Sequence, residues 1–362
     1  MEAQRSQEKV LPAGKVVVSC SAPLGAGGLG RHLQEVVDAL DRRRQTTICI
    51  CGSDRAPRVR GRYRRLPARA LSAVLAVPPI RLAAARRELA YCREFDAYAA
   101  SRLPATDHLI AFNGTALEQI HAARREPGTS ISLVSATSHF RRVERQHARA
   151  HRQYPIEGSW ATRLVERNLR EYAEADCIYV ASEYVRESFI EEGFADDVLT
   201  LFPLTPDPRY EPDPAPRRSP TFDVVYVGTL SVAKGVPVLI DAIRALPYGD
   251  IRLVLVGGWK SRSMRRFIEK VCAEDSRIHV RHGDPFADLR GAALYVHPTY
   301  NDGFAYAPAE ALACGVPVIV SEDTGMKDLI DQGRNGLVLP TGDVGVLTEA
   351  IETAYRGELF NG

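Results

Sequence analysis

Short apolar runs alternate with helix-length segments along this 362-residue chain, and that alternation restricts the fold more than any other feature. A strand that is buried on both faces is a short apolar run, and two parallel strands need a crossover segment, usually a helix, between them. The pattern therefore predicts an α/β fold with parallel sheets. In the first half the predicted strands are 15–20, 46–51, 108–111, 131–135 and 177–181, and in the second they are 223–227, 251–256, 277–281, 293–297, 317–320 and 336–339.

A proline-rich segment separates the two sets of strands. Residues 203–220 contain seven prolines, a density that is incompatible with a helix interior or a central strand. We therefore predict a first domain at 1–202, a linker at 203–222 and a second domain at 223–362. Two doubly wound domains joined in this way would bind ligands at the carboxyl ends of their strands.

The composition is that of a globular chain, with 45% hydrophobic and 25% charged residues and no run of about 18 apolar residues. The polar first 15 residues lack the apolar core of a signal peptide, so we expect a cytoplasmic protein. The seven cysteines lie mostly in apolar runs, as in a reducing compartment. Cys49 and Cys51 alternate across a strand, and His279 and His282 lie near no cysteine pair, so we expect no metal site.

Positive charge is concentrated in one segment, although the net charge is only +2. Arg55–Arg87 contains ten arginines and no acidic residue, with aliphatic residues between them. Such a surface suits an anionic membrane or a charged acceptor, which would make the protein peripheral to a membrane. The alternative is a solvated arginine-rich face in front of a buried helix. Because the sequence has no interleaved aromatic residues or reader motif, we expect no nucleic-acid partner.

A glycine cluster follows the first predicted strand. Gly25, Gly27 and Gly30 have the G-x-G-x-x-G spacing of dinucleotide-binding loops, and Asp54 lies near the expected place of a ribose-binding acid. An NAD-dependent oxidoreductase is therefore one alternative. The fit is imperfect, because Ser21 to Leu24 separate the strand from Gly25, whereas the first glycine of a dinucleotide fingerprint follows the strand almost directly.

The most informative segment is 300–330, which predicts a loop, a helix from about Tyr306 to Cys314 and a buried strand. Asp302 is expected in the loop and Glu310 about one turn into the helix. The N-terminus of a helix binds phosphate or sugar oxygens through its unpaired N–H groups and partial positive charge. A carboxylate accepts hydrogen bonds from ribose or sugar hydroxyls. Together these features predict a site for a nucleotide diphosphate sugar.

This segment resembles the signature of retaining glycosyltransferases of the GT-B fold, in the family 4 group (glycosyl transferases group 1). The family has E-G-F-G, four residues, then E-A, followed by G-x-P-V-I. Asp302 stands at the first acidic position, and Ala305 replaces a glycine. The matching residues are Gly303, Phe304, Glu310, Ala311, Gly315, Pro317, Val318 and Ile319. The resemblance implies two Rossmann-like domains that face a central cleft.

The resemblance also implies roles for these residues. Asp302 would face the hydroxyls of the donor sugar, and Glu310 would hold the ribose of the nucleotide. The backbone amides that would lie against the sugar and the diphosphate are those of Gly303, Phe304, Ala305 and Tyr306. Aspartate in place of glutamate shortens the first carboxylate by one methylene, and Ala305 adds a methyl group where the backbone approaches the ligand.

A second segment, residues 224–243, resembles the strand and K-G motif that open the C-terminal domain of the family. The resemblance implies that Lys234 neutralises the leaving diphosphate as a point charge. Many members carry an arginine where this chain has Thr229, so Ser231 and backbone amides would share the diphosphate with Lys234. Taken alone, a lysine at the start of a helix is more often a surface residue.

The first half of the chain carries weaker matches. Gly27 and Gly28 lie in a segment similar to the glycine loop of the family, which approaches the diphosphate and the acceptor. Residues 132–142 resemble a strand followed by a T-x-H turn, in which His139 would reach the donor sugar. A histidine at a strand end is otherwise a structural residue. Residues 173–194 resemble the last strand and helix of the family's N-terminal domain.

Together the matches imply transfer of a hexose from a UDP-, GDP- or ADP-sugar to a hydroxyl acceptor, with retention at the anomeric carbon. Asp302, His139 and Lys234 would be the catalytic residues of a front-face attack. We expect no metal or other cofactor, because a cationic side chain and amides stabilise the leaving phosphate. A non-catalytic nucleotide-sugar-binding protein is a further alternative. It is suggested by the departures from the family pattern at Asp302, Ala305 and Thr229, and by an end that follows soon after the last predicted helix.

Overall fold

A computed structural model describes residues 2–52, 62–65, 84–158, 164–213 and 220–360. The arginine-rich segment Arg55–Arg87, interpreted from the sequence as a surface for anionic membranes, lies largely outside these stretches. Asp54, on which the dinucleotide alternative depends, also lies outside them. Within the described stretches, no helix is both long enough and apolar enough to cross a membrane.

The chain forms two compact units. The first comprises Met1–Glu144 and Trp160–Leu204, and the second comprises Arg145–Ser159 and Thr205–Gly362. This division differs from the sequence-based boundaries, because residues 145–159 belong with the second half of the chain. The physical reason is burial: Ala150 is fully buried in the core of the second unit, and Tyr154 and Ile156 pack against that core.

The described residues of the first unit form a seven-stranded parallel sheet. Its strands are β1 (Lys15–Cys20), β2 (Thr46–Cys51), β3 (Arg62–Arg65), β4 (His108–Phe112), β5 (Ser130–Ser135), β6 (Cys177–Val180) and β7 (Leu199–Leu201). The spatial order is β3-β2-β1-β4-β5-β6-β7. The helices of this part of the chain are α1 (Glu2–Val10), α2 (Gly27–Arg42), α3 (Ala84–Ser101), α4 (Leu117–Ala123), α5 (Phe140–Gln153), α6 (Val165–Ala173) and α7 (Glu183–Ile190).

The second unit contains a six-stranded parallel sheet. Its strands are β8 (Phe222–Val227), β9 (Ile251–Val256), β10 (Ile278–Arg281), β11 (Leu294–His297), β12 (Val318–Ser321) and β13 (Gly336–Leu339). The spatial order is β10-β9-β8-β11-β12-β13. The helices that follow α7 are α8 (Val236–Ala245), α9 (Arg262–Glu274), α10 (Phe286–Gly291), α11 (Tyr306–Ala313) and α12 (Val344–Tyr355).

The apolar runs fold as parallel strands because the sheets are covered on both faces. In β1 every residue from Val16 to Cys20 is buried, and the strand pairs in parallel with β2 and β4. The α/β prediction is confirmed, and each predicted strand is present to within one residue at either end. The sequence missed β3, whose residues Arg62–Arg65 form no apolar run, and the three-residue β7.

In each sheet the chain adds strands first on one side of the first strand in the sequence and then on its other side. The chain moves outward from β1 through β2 and then continues on the other side of β1 with β4, and β8, β9 and β11 repeat that order. Ligands of doubly wound sheets bind outside the carboxyl ends of the strands at this switch point. In the second unit, the two loops at the switch point contain Lys234 and Asp302.

The loop after β11 enters α11 through an unusual backbone conformation. Ala305 precedes the helix with a φ of 66° and a ψ of 97°. Residues with a side chain rarely adopt positive φ, because the Cβ atom crowds a neighbouring carbonyl oxygen. A glycine, which the resembling motif has at this position, adopts such angles without that penalty.

The described core of the first unit contains a buried histidine. His32 lies on α2, is 2% exposed and packs its ring against Phe112 and Phe202 at centroid distances of 5.2 and 5.9 Å. Neither ring nitrogen has a hydrogen-bond partner among the residues that the structure describes. Burial lowers the pKa of His32 to about 3, so the imidazole is neutral in the folded protein at neutral pH.

We expect Ala305→Gly to stabilise the protein by roughly 1 kcal/mol. Backbone strain of about 1–3 kcal/mol is removed, and it exceeds the roughly 0.5–1 kcal/mol of extra entropy that a glycine loses on folding. The measurement is the urea midpoint of unfolding. The control is Ala307→Gly, inside α11, which should lower the midpoint because it reduces the free energy of unfolding by a similar amount. A lower midpoint for Ala305→Gly would contradict the prediction.

Acid is expected to destabilise the protein through His32. Its pKa is about 3 when folded and 6.5 when exposed, so the unfolded chain binds a proton in this range that the folded chain excludes. Stability should therefore fall as the pH drops below about 6.5, by roughly 2 kcal/mol at pH 5 from this group. His32→Leu removes the group, and its urea midpoint should fall less between pH 7 and pH 5 than that of the wild type. Equal falls in both proteins would show that His32 does not contribute.

Candidate functional site

Two loops at the carboxyl edge of the second sheet bring Lys234 and Asp302 together. Lys234 lies between β8 and α8, and Asp302 lies between β11 and α11. Nζ of Lys234 donates to Oδ2 of Asp302 at 2.5 Å and to the carbonyl oxygen of Asn301 at 3.1 Å. Two residues that are distant in the sequence, and were both predicted as site residues, thus form one ion pair.

Asp302 is fixed through its backbone as well as its side chain. Its N–H donates to the carbonyl of Asp323 at 3.1 Å, and its own carbonyl accepts the N–H of Gly325 at 3.0 Å. The carboxylate is 20% exposed. Both side-chain bonds go to Oδ2, and among the described residues Oδ1 has no hydrogen-bond partner. Oδ1 is therefore the atom that can accept a hydrogen bond from a ligand hydroxyl.

His297 supports the carboxylate from the end of β11. Its Nε2 lies 3.2 Å from Oδ2 of Asp302, and its ring is stacked beside Tyr226 and Tyr295. Burial lowers the pKa of His297, so a neutral ring donates its Nε2–H to the carboxylate. Sequence reasoning missed His297 because it ends an apolar run. Its place at a strand end, five residues before Asp302, is the signal that could have found it.

The electrostatics of the pair keep Asp302 ionised. Burial alone would raise the pKa of its carboxyl, but Lys234 and the hydrogen bond from His297 hold that pKa well below its usual range. The site therefore offers a permanent carboxylate beside an ammonium group. In the described parts of the chain, no group of three or more His, Cys, Asp or Glu side chains could hold a metal ion.

The turn that carries Lys234 is shaped by its neighbours. Oγ of Ser231 accepts the N–H of Lys234 at 3.2 Å, and the hydroxyl is buried. Gly235 has a φ of 69°, and a Cβ there would lie 1.8 Å from the carbonyl oxygen of Pro298, so only glycine fits. Thr229 is exposed beside this turn. Contact of Ser231 and Thr229 with a diphosphate stays a prediction.

The predicted donor-binding residues of the later segment form the start of α11. No side chain caps this helix, and Ala305 occupies the N-cap position. By contrast, α7, α9 and α12 each have a side-chain cap, supplied by Ser182, Ser261 and Asp343. An uncapped helix N-terminus suits an anionic group. The remaining predicted residues lie in the same segment, all of them largely buried: Gly303, Phe304, Tyr306 and Glu310.

The glycine loop of the first unit follows β1 and is exposed. Gly27 and Gly28 begin α2, whose N-terminus has no side-chain cap. The N–H of Gly25 donates to the carbonyl of Gly30 at 2.8 Å, which closes the loop. A Cβ on Gly30 would lie 1.9 Å from the carbonyl oxygen of Pro23, so this position needs glycine for packing.

His139 lies in the core of the first unit. It is 1% exposed, and its ring packs among Tyr172, Phe189 and Phe194 at centroid distances of 5.0, 5.0 and 5.6 Å. Its backbone N–H donates to Oγ of Ser188 at 2.7 Å. This packing supports the structural interpretation that the sequence left open, and a role at the donor sugar stays a prediction.

Comparison with known sequences matches part of the second unit to a known family. Residues 221–356 match the family of glycosyl transferases group 1. A D-inositol 3-phosphate glycosyltransferase of Pseudarthrobacter chlorophenolicus is 28% identical over 145 residues, which are 37% of this chain and 34% of the relative. The capsular polysaccharide biosynthesis glycosyltransferase CapM of Staphylococcus aureus is 25% identical over 142 residues, 38% of this chain and 37% of the relative. These matches span about a third of the length of each relative.

Comparison with solved structures covers nearly the whole chain. Sucrose-phosphate synthase from Thermosynechococcus elongatus superimposes with a TM-score of 0.66 at 18% identity, over 95% of this chain and 90% of that one. HepE of Anabaena in complex with UDP and glucose gives 0.65 at 16% identity, with the same coverage of 95% and 90%. At such identities the likeness shows the fold. The chain therefore has the GT-B fold and carries, at residues 221–356, a domain of the glycosyl transferases group 1 family.

Proposed function

We propose that this protein is a retaining glycosyltransferase that moves a hexose from a UDP-, GDP- or ADP-sugar to a hydroxyl acceptor. The observation that carries the proposal is the pair of Lys234 and Asp302 at the switch point of the second sheet, in the loops before α8 and α11. The cation can bind a diphosphate, and the carboxylate oxygen can accept a hydrogen bond from a sugar hydroxyl. A supporting comparison is HepE, which has been solved with UDP, with UDP and glucose, and with UDP-glucose.

In this proposal, the diphosphate binds between Lys234 and the start of α11. The ammonium group stabilises the negative charge that develops on the leaving phosphate, and the helix N-terminus adds N–H donors. Oδ1 of Asp302 accepts a hydrogen bond from a hydroxyl of the donor sugar, while His297 donates to Oδ2. Glu310, on α11, holds the ribose.

Retention is assigned to attack from the face that the phosphate leaves. The bond between the anomeric carbon and the phosphate oxygen breaks, the bond to the acceptor oxygen forms on the same face, and the acceptor proton passes to the departing phosphate. Asp302 is not assigned as the base, because the departing phosphate takes the acceptor proton and Asp302 orients a sugar hydroxyl through Oδ1. The proposal includes no metal or other cofactor.

Lys234→Ala is expected to weaken nucleoside diphosphate binding by about tenfold or more, because the phosphate loses its cation. The measurement is calorimetry with UDP, GDP and ADP in the presence of a chelator. Lys270→Ala is the control, since Lys270 is an exposed lysine on α9 that pairs with Glu274. Wild-type protein that binds none of the three nucleotides would refute the proposed function.

Asp302→Asn is expected to separate binding from turnover. Lys234 loses its ion-pair partner, so nucleotide binding should be kept or strengthened, whereas release of nucleotide from the preferred sugar donor should slow by about a hundredfold. Calorimetry and a donor-turnover assay supply the two values. A loss of affinity as large as the loss of turnover would contradict the sugar-orienting role of Asp302.

A further inference from the structure

Residues 145–158 come from the first half of the sequence but belong to the second unit, and we call them the strap. They comprise the end of α5 and the turn that follows it. Ala150 is buried in the core of the second unit, and Tyr154 and Ile156 pack against that core. The strap is therefore part of the unit that carries the proposed donor site.

Hydrogen bonds tie the strap to this unit along its length. The hydroxyl of Tyr154 donates to Oδ2 of Asp241 on α8 at 2.7 Å. Three further bonds reach loops at the carboxyl edge of the sheet. Oη of Tyr300 donates to Oε1 of Gln153 at 2.6 Å, and Nε2 of Gln153 donates to the carbonyl of Gly342 at 2.9 Å. Nη2 of Arg149 donates to the carbonyl of Thr341 at 2.6 Å.

Glu157, near the end of the strap, contacts the loop that carries Lys234. Its Oε1 accepts the N–H of Val232 at 2.9 Å, and its Oε2 accepts the hydroxyl of Ser261 at 2.5 Å. Ser261 also accepts the N–H of Met264 at 3.0 Å and thereby caps α9. One carboxylate thus joins the loop after β8 to the start of α9.

The bond from Val232 to Glu157 lies inside the turn that aims Lys234. The carbonyl of Val232 accepts the N–H of Gly235 at 2.9 Å. The turn is therefore held at both the N–H and the carbonyl of Val232, two residues before Lys234. An ammonium group on a turn that is already fixed loses less conformational freedom when it binds an anion.

We propose that Glu157 is a positioning residue for the donor diphosphate, which acts by fixing the turn that directs Lys234. The proposal rests on the function proposed above. A negative charge near a diphosphate opposes binding, so the benefit comes from the hydrogen-bond geometry of Glu157 and not from its charge. Glutamine has the same shape and can accept from Val232 while donating to the Ser261 hydroxyl. Glu157→Gln should therefore preserve the function, and Glu157→Ala should not.

Calorimetry with UDP, GDP and ADP tests this proposal on the full chain. Glu157→Ala should lower the affinity for the tightest-binding nucleotide about tenfold, and Glu157→Gln should lower it by less than about threefold. Tyr154→Phe is the matched control, because it breaks a strap hydrogen bond away from the Lys234 turn and should leave the affinity unchanged. An equal loss in Tyr154→Phe and Glu157→Ala would overturn the proposal in favour of general loosening.

A double-mutant cycle tests whether Glu157 acts through Lys234. In a Lys234→Ala background, Glu157→Ala should weaken nucleotide binding by less than about twofold, because the side chain that it positions is absent. An undiminished tenfold loss in that background would overturn the proposal.

Amide hydrogen exchange without any ligand tests the positioning step by itself. Peptides that cover residues 229–235 should exchange faster in Glu157→Ala than in the wild type, Glu157→Gln or Tyr154→Phe. Unchanged exchange in Glu157→Ala would overturn this inference. Wild-type protein that binds none of the three nucleotides would instead overturn the proposed function, so the two failures are distinguishable.

Discussion

The ion pair between Lys234 and Asp302 is the interaction on which the charge distribution of the site depends. It joins the loops after β8 and β11, which are neighbours because the sheet places these two strands side by side. The backbone of Asp302 extends the connection to the loop after β12 through Asp323 and Gly325. Together with the backbone bond from the N–H of Tyr300 to the carbonyl of Ala233 at 3.0 Å, these contacts link the loops of three adjacent strands.

The same pair limits what each group does chemically. Because Lys234 and His297 both bond Oδ2, Asp302 keeps its negative charge and is suited to orient a hydroxyl. In the proposed function, Lys234 is the exchangeable partner, since a diphosphate carries more negative charge than a carboxylate and attracts an ammonium group more strongly. His297 stays with Asp302 when Lys234 turns to the ligand, so the carboxylate keeps a hydrogen-bond donor in both arrangements.

Sequence reasoning predicted those parts of the fold and site that have a local pattern. Apolar runs identified the strands, and the carboxyl ends of parallel strands bring Lys234 and Asp302 to the same edge. The arginine-rich β3 was missed because its sequence is polar, and His297 because it ends a buried strand. The contacts of the strap have no local signal. Nothing near Glu157 in the sequence indicates that it bonds Val232, 75 residues further along the chain.

The strap lies outside the segment that matches the family but supports the loops of that segment. The match at residues 221–356 contains all six strands of the second sheet and the loops that carry the proposed donor site. Loops at this edge of the sheet nevertheless form hydrogen bonds with Arg149, Gln153 and Glu157, which lie outside the match. Without these side chains, the N–H of Val232 and the carbonyls of Thr341 and Gly342 would lose those partners. Order at the functional edge is therefore a property of the folded unit, assembled from two separate stretches of sequence, and not of the matching segment alone.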